Sequence, residues 1–184
     1  MASATTEVTF AREVRVVLIP DGESVPVAEG VRGWVLHSLG GHHTVQLTTG
    51  RLVRVDAADG DAIGMEVEEI AEVAPVDLDG DVCLEDIWGA LTQIYDPEIP
   101  QDIVALGLIY DVAMRPLDRG HHVDVVMTLT APGCGMGQVL VDDVRRAVSV
   151  LPGVAVVEVA LTFDPPWTHD RMSEEARLSL GYFF

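Results

Sequence analysis

The chain has 184 residues, 48% of them apolar, with a mean hydropathy of +0.28, which suits a globular fold with one sizeable core or two small ones. Thirty acidic residues against eleven basic ones leave a net charge of −19, which argues against a nucleic-acid partner, because such affinity rests largely on positive charge. All eleven basic residues are Arg, so a Walker A lysine, a Schiff-base lysine and a Ser-Lys dyad are excluded.

The opening "MASATTEVTFARE" is polar and lacks the basic and apolar regions of a secretory signal, and no apolar run reaches the length of a membrane helix. Two cysteines, Cys83 and Cys134, imply no disulfide framework, and the expected compartment is a reducing cytoplasm.

The first part of the chain reads as all-β. "VRVVLIP" (14–20) is a β-branched run ended by Pro20, Asp21 and Gly22. Over 30–56 apolar runs alternate with turns, at Gly40-Gly41 and again at Thr49-Gly50. A small β-meander or barrel domain is expected over 10–72, followed by a linker over 73–81, where Pro75 and several acids shift the composition.

From residue 82 to 184 the element types alternate. "VCLEDIWGALTQIY" (82–95) places Leu84, Ile87, Trp88, Leu91 and Ile94 at helical spacing, and Pro97 ends the helix near Tyr95. Strands follow at 106–116 and 121–130, joined by a turn at Asp118-Arg119-Gly120. In the second strand, Val123, Val125, Met127 and Leu129 share one face. A helix over 138–151 carries Leu140, Val144, Ala147, Val148 and Leu151 on one stripe and stops at Pro152-Gly153. A strand over 154–164 and a short helix near 173–180 complete the chain; for that last helix, Ser173 offers the poorer capping register and Thr168 the alternative. The expected class is α+β: a small α-β-β-α-β sandwich, helices on one face of a small sheet, preceded by the all-β domain.

Cys134 stands out in "TLTAPGCGMGQ" (128–138). It lies between a strand and a helix, among Gly133, Gly135 and Gly137. Helix N-termini favour anions and can lower a thiol's pKa, so this position suits a reactive or metal-binding thiol, or else an inconsequential loop residue. Cys83 opens a helix without such neighbours and reads as structural. "YDPEIP" (95–100) is the second candidate. If extended, it projects Asp96 and Glu98 to one side, where they could hold a metal, orient a thiol or bind a basic surface; alternatively Asp96 accepts hydrogen bonds within a rigid turn. His42-His43 and His121-His122 sit beside turns and read as solvent-exposed; His169 follows Trp167. Trp167, after two prolines, is expected either to pack as a lid or to meet a partner.

Three separated segments, "IYDPEIPQDIVALGLIYDV", "MTLTAPGCGMG" and "DPPWTHDRMSEEARLSLG", together resemble the metal–sulfur-cluster biosynthetic domain family, most of all its SufT branch of the SUF system. The N-terminal β segment also resembles the extra domain of that branch. The resemblance carries the family's reactive cysteine to Cys134, its Asp-Pro-Glu element to Asp96, Pro97 and Glu98, and its threonine to Thr130, with Gly133, Gly135 and Trp167 in supporting positions. Two departures stand: many relatives have Cys-Pro where this chain has Cys134-Gly135, and an Asp common before Leu-Gly-Leu is Ala105 here.

The resemblance implies an Fe–S assembly factor, not an enzyme, that works as a transient cluster carrier or adaptor. Its implied partners are Fe–S carrier or scaffold proteins and client apoproteins, with no nucleic acid and no membrane. Clusters usually take four protein ligands, mostly cysteines, so with one plausible cysteine two readings stay open: a transient cluster bridged between two copies of Cys134 in a homodimer, completed by small thiols or carboxylates, or an adaptor that holds no cluster. Two alternatives are a subunit of an aromatic-ring-oxygenating (phenylacetate-type) complex and a thiol-dependent enzyme. Relatives of the first kind carry extra C-terminal cysteines that this chain lacks, and the second needs a base near Cys134.

Overall fold

The structure, a computed structural model, describes residues 6–67 and 77–182. The chain divides into two compact units, Met1–Glu72 and Val73–Phe184. The class is mixed α+β with two sheets, and among the described residues no helix is long and apolar enough to cross a membrane.

The first unit is one antiparallel sheet of six strands: β1 Thr6–Thr9, β2 Val14–Ile19, β3 Ser24–Val27, β4 Arg32–Leu39, β5 His42–Leu47 and β6 Leu52–Asp56. Their order is β1-β4-β5-β6-β2-β3. Period-two alternation builds its core: Val14, Val16 and Leu18 of β2, Val45 and Leu47 of β5, and Val53 and Val55 of β6 turn inward around Phe10. The turn at Gly40-Gly41 is as expected, both residues having positive φ, the requirement of a type I′ hairpin turn. Strands β1 and β3 were not legible in the sequence. Both are four-residue edge strands, and Pro26 in β3 is tolerated because an edge strand leaves one row of N–H groups unused.

The expected solvent-exposed histidines are corrected by the structure. His43 and His122 are each only 8% exposed. The pairs lie within strands rather than in the turns beside them: His43 shares the inward face of β5 with Val45 and Leu47, whereas His122 stands on the outward face of its own strand, His121–Met127, and is covered by Arg115. His43 Nδ1 is 2.7 Å from the Ser38 hydroxyl, and His42 Nε2 meets the Arg54 guanidinium.

The second unit contains α1 Leu84–Leu91, β7 Ile109–Pro116, β8 His121–Met127, α2 Gly137–Ser149, β9 Val154–Leu161 and α3 Glu174–Ser179. The sheet order is β7-β8-β9, with β7 antiparallel and β9 parallel to the central β8. The inward row of β8 is the expected one: Val123, Val125, Met127 and the following Leu129 are buried in one core with Ile87 and Leu91 of α1 and Leu140, Val141, Val144 and Val148 of α2. Each such side chain contributes about 1.5–3 kcal/mol by leaving water.

Several boundaries differ from the sequence reading. Helix α1 stops at Leu91, where the Thr92 hydroxyl donates to the Gly89 carbonyl (2.7 Å); Leu84 is exposed, and Ile94 reaches the core from the turn that follows. Strand β7 begins at Ile109 because residues 103–107 form a turn, and β8 ends at Met127. The expected linker is only partly described: residues 73–76 lie outside the described residues. Asp77 is no free connector, since its carbonyl accepts from Gly80 N (3.2 Å) and Gly153 N (2.6 Å). Ser173, the register expected to be poorer, caps α3 by accepting from Ala176 N at 3.1 Å, whereas Thr168 makes no side-chain cap bond.

Gly107 tests the packing of the C-terminal segment. Its φ is +68°, and a Cβ there would stand 2.2 Å from the Arg171 carbonyl oxygen, part of a backbone that has little room to yield. Gly133 also has positive φ (+84°) but faces open space. Left-handed geometry alone costs an L-residue about 1–2 kcal/mol. Gly133→Ala should therefore lose about that much, and Gly107→Ala, which adds a backbone clash, about 3 kcal/mol or more, read as the difference in urea unfolding free energy.

Candidate functional site

The loop after α1 is built by two aspartates that accept from their own backbone. Asp96 Oδ1 accepts from Glu98 N (2.8 Å) and Ile99 N (2.9 Å), and Asp102 Oδ1 accepts from Val104 N (3.0 Å) and Ala105 N (2.8 Å). The loop base closes through Asp96 N to Gln101 O (3.0 Å) and Ile103 N to Ile94 O (2.9 Å). "YDPEIP" is thus a turn rather than an extended stretch, because the Asp96 carboxylate bends the backbone around itself. Asp96 is buried, and Glu98 is exposed.

Between β8 and α2, the segment Leu129–Met136 carries the thiol. Cys134 N donates to Ala131 O (3.4 Å), and Gly137 N donates to Cys134 O (3.2 Å), which winds the chain into the helix. Positive φ at Gly133 permits the first bend. Gly137 has a packing role, since a Cβ there would lie 2.7 Å from Leu129 Cδ1. Gly133 and Gly135 are exposed on either side of Cys134, which is half-buried and rests on the core. No side chain caps α2.

The C-terminal segment closes one side of this region. Trp167 Nε1 donates to Leu106 O (2.9 Å), Ser173 N donates to Ala105 O (2.8 Å), and Met172 and Ala176 are buried in the core. Arg171 lies 4.0 Å over the Tyr110 ring, whose hydroxyl donates to Pro165 O (2.8 Å). Trp167, His169 and Tyr182 form a tilted aromatic row with centroid separations of 5.1 and 4.4 Å. Together with Ile99, Thr130, Met172 and Leu180 they line a cavity of about 270 Å³.

The structure therefore brings Thr130 and Trp167 onto one cavity. It also places Asp96 and Glu98 near enough for their charges to act on Cys134. Ile99, Met172, Leu180 and Tyr182 were missed as lining residues. Tyr182 carries a usable signal, as an aromatic in the same C-terminal tail as the Pro-Pro-Trp segment; the others are aliphatic or thioether side chains, which sequence alone assigns to a core.

The electrostatics correct one expectation. The Cys134 thiol is raised, not lowered, by its surroundings. Burial is the main cause, a hydrogen bond from the Met136 N–H opposes it, and the negative charges of Glu98 and Asp96 add to it. The helix N-terminus contributes in the expected direction but is outweighed. The Glu98 carboxyl is also raised, first by partial loss of solvent and then by the charge of Asp96. Cys83 is raised as well, chiefly by its hydrogen bond to Asp86 (2.9 Å). Cys134 is thus held toward the thiol form, near two carboxyl groups whose negative charge favours the approach of a cation.

Because removing a nearby anion lowers a thiol's pKa, Glu98→Gln should shift the alkylation profile of Cys134 to lower pH and speed its labelling at about pH 7.5. Labelling of wild-type Cys134 should still be climbing above about pH 8.5, the range of an ordinary free thiol. Iodoacetamide rates across pH, resolved by peptide mapping with Cys83 as internal reference, measure both; an unchanged Cys134 profile in Glu98→Gln would remove the carboxylate from the site.

Comparison with known proteins bears on this geometry. The family model for "Iron-sulfur cluster assembly protein" matches residues 84–161, from α1 to the end of β9. The chain is 46% identical over 97 residues to the "Fe-S protein maturation auxiliary factor YitW" of Bacillus subtilis, covering 92% of that protein and 53% of this chain. It is 42% identical over 88 residues to the "Fe-S protein maturation auxiliary factor SufT" of Staphylococcus aureus, covering 97% of that protein and 48% of this chain. A weaker similarity, 33% over 112 residues, covers 61% of an Escherichia coli protein described provisionally as a component of a 1,2-phenylacetyl-CoA epoxidase, and 60% of this chain. With nearly the whole of two maturation auxiliary factors matched at this identity, and the family model spanning the elements that carry both candidate loops, the chain belongs to the iron–sulfur cluster assembly protein family.

Proposed function

We propose that the protein is an Fe–S maturation factor that passes clusters, or brings carrier and client together, through Cys134. The observation that carries this reading is the near-full-length similarity to two proteins named as Fe–S protein maturation auxiliary factors. The site's chemistry agrees with it. A chain with two cysteines cannot supply the four thiolates of an ordinary cluster site. A cargo cluster would therefore be shared, either between two copies of Cys134 or between Cys134 and a partner's ligands, and such partial ligation lets it leave again.

In this reading each part of the site has a role. Cys134 is the cluster or partner ligand. Glu98 and Asp96 attract the metal end of the cargo, and Asp96 also fixes the loop that presents Glu98. Thr130 and Trp167 line the neighbouring cavity, which would take an apolar side chain of a partner. Gly133 and Gly135 leave the loop backbone open to that partner.

Cys134→Ser tests the reading. The thiol is half-buried and makes no hydrogen bond to another side chain among the described residues, so the variant should fold with a loss of about 1 kcal/mol or less. In cells lacking the native copy it should fail to restore the activity of Fe–S enzymes while accumulating normally. Full restoration by Cys134→Ser would overturn the proposal.

A further inference from the structure

The outward face of the second sheet carries a group of side chains that the thiol site does not use. His122 and Asp124 are two residues apart on β8 and so point to the same face; Glu158 is the register partner of Asp124 on β9, and Arg115 is the partner of His122 on β7. His122 Nε2 lies 3.2 Å from Asp124 Oδ1 and 3.8 Å from Glu158 Oε1. One ligand atom from each of the three residues falls within 4.8 Å of the others, the convergence a single metal ion requires. Among the described residues this is the one such group; Cys134, Asp96 and Glu98 do not form another.

A cation already occupies the neighbourhood. Arg115 Nη2 lies 2.9 Å from His122 Nδ1, 3.1 Å from His122 Nε2 and 3.6 Å from Asp124 Oδ2. It covers the imidazole, whose side chain is 10% exposed although it stands on the open face, while the arginine side chain itself is 59% exposed. Two carboxylates against one guanidinium leave the group with a surplus negative charge. A guanidinium nitrogen is a donor only, so Arg115 marks the side on which Asp124 and the acceptor nitrogen of His122 present their lone pairs.

We propose that His122, Asp124 and Glu158 form a site for a first-row divalent cation, with Arg115 as the built-in cation that a metal displaces. One imidazole nitrogen and two carboxylate oxygens suit borderline ions such as Zn²⁺, Co²⁺ or Fe²⁺ better than the purely oxygen-seeking Mg²⁺ or Ca²⁺. Three protein donors leave coordination positions open, so the ion exchanges rather than staples the fold. The site is independent of the Cys134 reading, because it shares no residue with it.

Co²⁺ is the probe, titrated into the full chain at about 0.15 M salt to screen adventitious binding to exposed acids. Visible absorption and calorimetry are read together. The wild type should take up one Co²⁺ with visible bands and without the intense near-ultraviolet charge-transfer band of a thiolate ligand. His122→Ala, which keeps every carboxylate, should lose the visible bands, and so should Glu158→Gln, a change at a 70% exposed side chain that leaves the core untouched. Arg115→Gln should bind about tenfold more tightly, since a positive charge a few ångströms from the ion is removed. Equal binding by wild type, Arg115→Gln and His122→Ala would overturn the proposal, as would a thiolate band that disappears with Cys134→Ser.

Discussion

The backbone of residues 105–108 is the constraint on which the rest of the second unit depends. It is held from two directions at once. The C-terminal segment reaches it through Trp167 Nε1 to Leu106 O and Ser173 N to Ala105 O, and Arg171 packs against Gly107 so closely that no side chain fits. The end of the central strand reaches it through Thr128 N to Leu108 O at 2.8 Å. These bonds satisfy carbonyls that a turn would otherwise leave to water, and most are shielded by the core beneath them. They also join three parts far apart in sequence: the acidic loop upstream, the strand that leads to Cys134, and the tail that lines the cavity.

Around that hinge the candidate site combines opposing tendencies. A helix N-terminus favours a thiolate, whereas burial and two carboxylates favour the thiol. The second tendency prevails because the helix offers Cys134 a single N–H, while burial and both anions act on it together. A thiol held in this form is less open to alkylation, since the thiolate is the reactive form. Asp96 contributes twice. Its carboxylate accepts two backbone N–H groups that shape the loop, and its charge raises Glu98 beside it. A change at Asp96 would therefore mix a structural effect with an electrostatic one, which makes Glu98 the cleaner probe.

The sheet of three strands has one committed face and one open face. Val123, Val125 and Met127 occupy the first, against α1 and α2. The second carries Arg115, His122, Asp124 and Glu158, polar groups arranged across all three strands by register. With helices on one side only, the opposite face is left for cross-strand chemistry, while the loops at the strand ends carry the thiol and the acids.

Much of this was legible in the residues. The inward row of β8, the stripe of α2, the hairpin at Gly40-Gly41 and the isolation of Cys134 among glycines all follow from period and turn chemistry, which act over a few neighbours. The short edge strands β1 and β3 escaped because four residues, in β3 one of them a proline, carry too little pattern. Helix α1 and strand β7 were read too long because apolar spacing continues through Ile94 and Leu106, which reach the core from turns. The bend at "YDPEIP" was one of two local options, and only folding chose between them, since an aspartate accepts its own backbone N–H groups just when the loop base is closed. The raised Cys134 thiol, the cavity beneath Trp167 and the His122–Asp124–Glu158 group depend on residues brought together from separate elements. The sequence by itself determined which side chains are available and which face of each element they share. Tertiary structure decided which charges act on which groups, because burial and distance between elements, rather than spacing along the chain, set those interactions.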